Sequence, residues 1–262
     1  MVERHIELLM PNTTQLTPSG DYELLQYLKS CLDEAAEKLS AKFGLVDAMG
    51  RPRKAFIIDA LLRFGCVGCI RKVFTQMRKQ SADNLYLEMH SLAVNLLAGV
   101  LTHALCNPKM EVLLEENGRY GRVDVAIKTA AFGAVVEIGN VSVIVEVKTG
   151  RNVDLIQVLR YLLEYPKAAL LVWRVRKRQV FIVKGERLTS LLCMCAAVAI
   201  GRALKLLNNC DIDCPHNPHD TFAIIEKPQE LIDEYFDGLA DGLPKVVSAV
   251  FKALNEEELH AG

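Results

Sequence analysis

The sequence has few aromatic residues, no excess of charge of either sign and no apolar leader. Aromatic residues make up 6% of the 262 residues, with a single tryptophan, so there is no dense platform for stacking bases. Lysine and arginine total 31 against 32 acidic residues, so any nucleic-acid site has to be a local basic patch. The start, MVERHIELLMPN, carries charges and no apolar h-region. Together with eight cysteines, this start favours a reducing cytoplasm as the location.

The composition is otherwise that of an ordinary globular chain. Apolar residues make up 51% and charged residues 24%, which excludes wholesale disorder, collagen and coiled coil. The length suits one large core with an appended module. The longest charge-free stretch, Met89 to Pro108, contains His90 and His103 and is interpreted as a buried helix rather than a membrane span.

The hydrophobic period changes along the chain, and this change predicts a mixed α/β fold in three regions. We expect an N-terminal helical region at 1–83, a core at 84–184 and a C-terminal helical and cysteine-bearing region at 185–262. Helices are predicted at Tyr22–Leu39, from Ala55 to about Met77, and at Asn84–Leu105, Val153–Tyr165 and Glu186–Leu207, with two more between Pro228 and Leu259. Strands are predicted at Met110–Leu114, Gly121–Ile127, Ala134–Glu137, Val141–Val147, Ala168–Val175 and Gln179–Val183.

Three charged residues stand out in the predicted strands. In EVK, residues 146 to 148, Glu146 and Lys148 point to one face, while Val145 and Val147 point into the core. If the strand of Asp124 is a neighbour, both carboxylates can converge on a hard divalent cation, with Lys148 beside its water. Alternating charge is also typical of a solvent-facing strand, so this pattern alone leaves both interpretations open.

Two further segments belong to the same pattern. Gln157 and Tyr161 are four residues apart and share one face of the helix that follows Lys148. His90 lies on a predicted helix upstream, where its imidazole could add a nitrogen ligand to the metal or could be an ordinary buried histidine.

In chain order, His90, Gly121-Arg122-Val123-Asp124, Glu146-Val147-Lys148 and Gln157 to Tyr161 resemble the RecB-like branch of the PD-(D/E)XK nucleases. The resemblance covers roughly residues 86 to 184 and implies a restriction-endonuclease-like mixed central sheet flanked by helices. It further implies that His90, Asp124 and Glu146 bind Mg or Mn and that Lys148 is catalytic. Gln157 and Tyr161 would position the DNA strand or the metal-bound water. Val123 stands where the family motif has proline.

Two pairs of cysteines flank this segment, Cys66 and Cys69 before it and Cys210 and Cys214 after it. The arrangement looks like the CRISPR-associated Cas-four exonucleases and the AddB-type nucleases, which implies an iron-sulfur cluster held by these four cysteines. The family usually supplies three cysteines on the C-terminal side, where this chain has two. A zinc site with His216 or His219 and four unligated cysteines are the alternatives. Cys31, Cys106, Cys193 and Cys195 are interpreted as core cysteines.

The function predicted from these features is a Mg- or Mn-dependent deoxyribonuclease. The resemblance implies an exonuclease on single-stranded DNA ends, acting in CRISPR adaptation or DNA repair, with CRISPR adaptation proteins as partners and no membrane association. A structure-specific endonuclease and a non-catalytic DNA-binding scaffold are the alternatives. Arg51 to Lys54, Arg71 to Lys79 and Arg174 to Arg178 are the local basic clusters, and Tyr120, Tyr161 and Trp173 could stack on bases.

Overall fold

The protein is a mixed α/β structure in which one five-stranded sheet carries helices on both faces. The computed structural model describes residues 20–47, 49–63, 84–105, 107, 109–129, 140–150, 153–208 and 228–258. The helices are α1 Asp21–Phe43, α2 Lys54–Arg63, α3 Asn84–Ala104, α4 Leu155–Glu164, α5 Thr189–Asn208 and α6 Pro228–Glu258. The strands are β1 Met110–Asn117, β2 Arg122–Thr129, β3 Asn140–Lys148, β4 Ala169–Arg174 and β5 Gln179–Lys184.

The strands lie side by side in chain order, from β1 to β5. The pairs β1–β2, β2–β3 and β4–β5 are antiparallel, whereas β3 and β4 are parallel and are connected through α4. A parallel pair needs such a crossover, because the chain has to return to the same end of the sheet. The consequence for function is that β3 and β4 both end at the edge of the sheet where β2 begins.

The two faces of the sheet border separate cores. The first core holds residues of α1, α2, α4 and α5 with Ile144 and Val172 from the sheet. The second core holds residues of α3 and α6 with Val145, Val147 and Trp173. This alternation along β3 is the one predicted from the sequence, and it directs Glu146 and Lys148 towards the α4 side.

Most predicted elements are confirmed within the described residues, and one is wrong. The segment after Pro228 forms one helix with Pro244 in its interior, where two helices were predicted. Proline removes one helical hydrogen bond, but Tyr235 and Leu239 before it and Val246 and Val250 after it are buried on the same core, so packing on both sides sustains the helix. The predicted strand Ala134–Glu137 and the end of the helix predicted to reach Met77 lie outside the described residues.

Two helical stretches in the described part of the chain have the length and apolar composition of a membrane span, Leu85–Ala104 and Gly185–Asn208. Each is about one-third or somewhat more buried, because one face packs on a core while the other is exposed. Mostly buried core helices of soluble proteins meet the same criteria of length and composition, and two such helices are weak evidence for a membrane. The cytoplasmic location stays a prediction.

Candidate active site

The candidate site lies at the edge of the sheet where β2 begins and β3 ends. Strand β2 supplies Asp124, strand β3 supplies Glu146 and Lys148, and helices from opposite faces supply the remaining predicted residues. His90 comes from α3, while Gln157 and Tyr161 come from α4. The structure therefore brings all six predicted residues of the core together around one end of the sheet.

Asp124 occupies the point where β2 separates from β3. The pairing of the two strands ends at Val125 and Val145. Beyond this pair, the Asp124 side chain accepts the hydrogen bond of a β3 backbone N–H that has no partner in β2. Its Oδ2 accepts a hydrogen bond of 2.7 Å from the Val147 N–H, and its Oδ1 lies 3.2 Å from His90 Nε2. Both contacts fix the orientation of this carboxylate at a buried position.

Glu146 is the most deeply buried charged residue of the site, with 2% of its surface exposed. Its Oε1 lies 2.5 Å from Lys148 Nζ, whereas its buried Oε2 has no hydrogen-bond partner. Burial and the nearby Asp124 charge raise the pKa of Glu146 to about 7, against the opposing effect of Lys148. The site thus holds a carboxylate that lacks full compensation of its charge.

Helix α4 fixes Lys148 through a chain of hydrogen bonds. Lys148 Nζ donates to Gln157 Oε1 at 2.6 Å, and Gln157 Nε2 donates to the Tyr161 hydroxyl at 2.6 Å. Tyr161 in turn donates to the Arg122 carbonyl at 2.7 Å. Tyr161 is 1% exposed, and burial raises the pKa of its phenol. It is therefore placed to hold Gln157 and Lys148, and it offers no surface to a DNA strand.

His90 reaches the site from the opposite face of the sheet. Its hydrogen bond to Asp124 raises the pKa of the imidazole, partly offset by burial. The preceding residue, Met89, accepts a hydrogen bond of 2.5 Å at its carbonyl from the buried Tyr235 hydroxyl of α6. Tyr235 therefore fixes the turn of α3 that carries His90. Sequence analysis did not single out Tyr235, since no motif or spacing connects it with a helix so far back in the chain.

Two other residues missed by sequence analysis support α4. The Asp154 carboxylate accepts hydrogen bonds from the backbone of Ile156 and Gln157, which makes it the N-cap of α4. Arg63, at the end of α2, pairs with the same carboxylate. An aspartate directly before an apolar helix is a recognisable N-cap signal, whereas the contact with Arg63 has no signature in the sequence.

The donor set suits a hard divalent cation. Two buried carboxylates are ligands that Mg and Mn prefer, whereas the imidazole of His90 is more typical of softer transition metals. The unpartnered Glu146 Oε2 is an acceptor that a cation would satisfy. In the present arrangement, no three or more His, Cys, Asp or Glu side chains among the described residues are gathered closely enough to hold a metal ion. Instead, Lys148 Nζ contacts Glu146 Oε1 and His90 Nε2 contacts Asp124 Oδ1. A metal could bind these two oxygens only if both contacts opened.

Comparisons of the chain with protein-family models, with curated proteins and with solved structures find no match. The site is therefore interpreted from its own chemistry and from the resemblance of its motifs.

The three aromatic residues predicted to stack on bases lie in the cores instead. Tyr120 and Trp173 are fully buried, so the prediction that they stack on bases is wrong for both, as it is for Tyr161. Large aromatic side chains complete the cores of this sheet instead. Of the core cysteines, Cys31 and Cys193 are buried and Cys195 is partly buried, as predicted. Outside the described residues lie Cys66, Cys69, Cys106, Cys210, Cys214, His216 and His219, so the iron-sulfur and zinc predictions stay predictions.

Proposed function

We propose that this protein is a Mg- or Mn-dependent deoxyribonuclease of the RecB-like PD-(D/E)XK type that degrades single-stranded DNA from its ends. The observation that carries the proposal is the group formed by buried Asp124 and Glu146 with partly buried Lys148, held by Gln157 and Tyr161. Burying two carboxylates on a valine-rich sheet is costly, and a structural role would be met by apolar side chains at lower cost.

The fold supports the same proposal. A helix, three antiparallel strands, a crossover helix and a parallel strand follow one another in chain order. This order brings the start of β2 and the end of β3 to one edge, with a helix on each face to complete the site. It is the arrangement that the proposed nuclease fold requires for its acidic residues and lysine to meet.

The proposed roles follow from the contacts of each side chain. Hydrolysis of a phosphodiester requires an attacking water and stabilisation of the negative charge that develops on the phosphate. A bound divalent cation, with Asp124, Glu146 and His90 as ligands, would activate the water and offset part of this charge. Lys148 holds its ammonium group beside the Glu146 carboxylate, and Gln157 accepts a hydrogen bond from it and fixes its direction. Tyr161 fixes Gln157 and thereby keeps the ammonium aimed at the carboxylates.

The test is a nuclease assay on linear single-stranded DNA with Mg or Mn. Lys148→Met should lower the rate by about a hundredfold or more, because it removes charge stabilisation in a water-poor site. Lys128→Met is the matched control, since both lysines have side chains 20% exposed and pair with a glutamate on the sheet. Wild-type cleavage by a folded Lys148→Met variant would contradict the proposal.

Metal binding has an independent readout. Mn should raise the melting temperature of the wild-type chain and have a smaller effect on Asp124→Asn, because binding to the folded state alone stabilises it. Equal stabilisation of both proteins would remove Asp124 from the metal site.

The same assay separates the alternative functions. Cleavage of circular single-stranded DNA would favour an endonuclease, and DNA binding with no cleavage under any metal would favour a scaffold. A scaffold would agree with the ion pairs that already occupy Glu146 and Asp124 in the described structure. A role in CRISPR adaptation stays a prediction from the resemblance.

A further inference from the structure

The turn between β4 and β5 rises from the same edge of the sheet as the candidate site. Lys148 and Arg174 are paired positions of the parallel strands β3 and β4, so their side chains lie on the same face, one strand apart. The chain then continues past this edge through the 3₁₀ turn Val175–Lys177 before it returns as β5. Arg176 and Arg178 in this turn pair with α6, on the other face of the sheet from Lys148. The turn therefore adds cationic residues beside the end of the sheet that carries the candidate site.

The end of this turn carries an arginine where the backbone favours glycine. Arg178 has φ 55 and ψ 31, in the left-handed region, and its N–H donates to the Val175 carbonyl at 2.9 Å. A residue other than glycine, asparagine or aspartate is strained there. Strained positions of this kind are concentrated at functional sites, which points to a use for the Arg178 side chain. Lys177, next to it, is exposed.

The acidic residues beside the turn pair with Arg178, and a polyanion could compete with them for its guanidinium group. Arg178 pairs with Asp237 at 3.0 Å and Asp241 at 2.8 Å, and all three side chains are about half exposed or more. Exposed ion pairs of this kind are weak, so phosphate groups can replace the carboxylates. Arg176 is different, because its side chain is 6% exposed beneath Glu234 and serves to attach the turn to α6.

We propose that Arg174, Lys177 and Arg178 form a phosphate-binding turn that guides a single DNA strand into the candidate site. The inference rests on the proposed function, because it takes the strand to be the substrate of that site. Recognition of the DNA through its phosphate groups suits this protein, because the large aromatic residues near the site are buried and cannot stack on bases.

The test measures binding of a fluorescein-labelled oligo(dT) of about 20 nucleotides to the full chain by anisotropy, in EDTA and at increasing salt. Each lost phosphate contact should weaken binding and reduce the slope of log K against log salt by about 0.7. Arg178→Gly should show this reduction while its melting temperature stays equal or rises, since glycine relieves the left-handed backbone. Arg187→Gly is the control with the same change of charge, because Arg187 is exposed in the 3₁₀ turn Gly185–Leu188, which follows β5 at the opposite end of the sheet.

A variant that removes a negative charge beside the turn separates an effect of charge on DNA binding from an effect of structural damage. Asp237→Asn should tighten binding, because it removes a carboxylate that competes with phosphate, whereas damage to the turn would weaken binding in both variants. The phosphate-binding turn would be overturned if Arg178→Gly and Lys177→Glu bound the oligonucleotide with the affinity and salt slope of the wild-type chain. Metal-dependent cleavage would still support the nuclease in that case. Binding that depends on these residues without cleavage would support the turn and reject the nuclease.

Discussion

Replacing Glu146 by glutamine removes a buried charge and keeps the shape of the side chain. In the folded protein the pKa of Glu146 is raised from its ordinary value of 4.5 to about 7, first by burial and then by Asp124. The folded state therefore binds a proton more tightly than the unfolded state does. Stability from this group is fully present below pH 4.5 and is lost as the pH rises through about 7. Glutamine mimics the protonated acid at every pH, so the variant should not show this loss.

The size of the effect follows from the same two pKa values. Each pH unit between them corresponds to about 1.4 kcal/mol of difference between the two protonation states. The expected advantage of Glu146→Gln in metal-free protein is therefore near zero below pH 4.5 and grows to about 3 kcal/mol at neutral pH. Because Glu146 is 2% exposed, solvent screening does little to reduce this value.

Urea unfolding of both proteins in EDTA, at several pH values between 4 and about 8, measures this difference directly. The difference between the two curves reports Glu146 together with its electrostatic coupling to His90, whose pKa the Glu146 charge helps to raise. A constant difference across the pH range, or a variant that is less stable at neutral pH, would refute the reasoning that an uncompensated carboxylate is buried at this position.

Four further substitutions test the packing, the backbone and the hydrogen bonds of the site. Gly238→Ala should lower the free energy of unfolding by about 2 kcal/mol or more, because its Cβ would lie 2.1 Å from the Val175 carbonyl oxygen. A Cβ at Gly99 on α3 would have no atom within 4 Å, so Gly99→Ala should instead stabilise the helix by up to about 1 kcal/mol. Thermal unfolding of the two alanine variants shows whether their changes in stability have opposite signs. Glu115→Gly should be neutral or stabilising by about 1 kcal/mol, since Glu115 has φ 50 within β1, and a clear loss of stability in urea would contradict this. Tyr161→Phe should cost about 2 kcal/mol in urea unfolding and reduce nuclease activity with little change in DNA affinity, because it removes two buried hydrogen bonds.

Local patterns in the sequence predict the parts of the site that depend on local geometry. The alternation of Val145, Glu146 and Val147 predicts which side chains share a face, because a strand has a period of two residues in any context. The spacing of Gln157 and Tyr161 predicts their common helix face for the same reason. Their hydrogen bond in the structure agrees with this prediction.

Contacts between distant segments could not be predicted in this way. Tyr235 donates to a backbone carbonyl, and every residue type has such a carbonyl, so nothing in the sequence marks Met89 as the partner. The basic turn was visible as Arg176 to Arg178, but its pairing with Asp237 and Asp241 depends on where α6 lies. The prediction of two helices after Pro228 was wrong, because the residues before and after Pro244 pack on one core and form a single helix, which the local pattern does not show.

The position of α6 has a consequence for the protein during its synthesis. Helix α6 covers the second core, and its residues follow those of the site along the chain. On the ribosome, a nascent chain that has reached α5 would present one face of the sheet with Val145 and Trp173 incompletely covered, and α3 would lack its contact with Tyr235. His90 would then be held less firmly, so an unfinished chain would contain the site residues but not their fixed arrangement. The nuclease activity proposed above would therefore be acquired only once α6 has been synthesised.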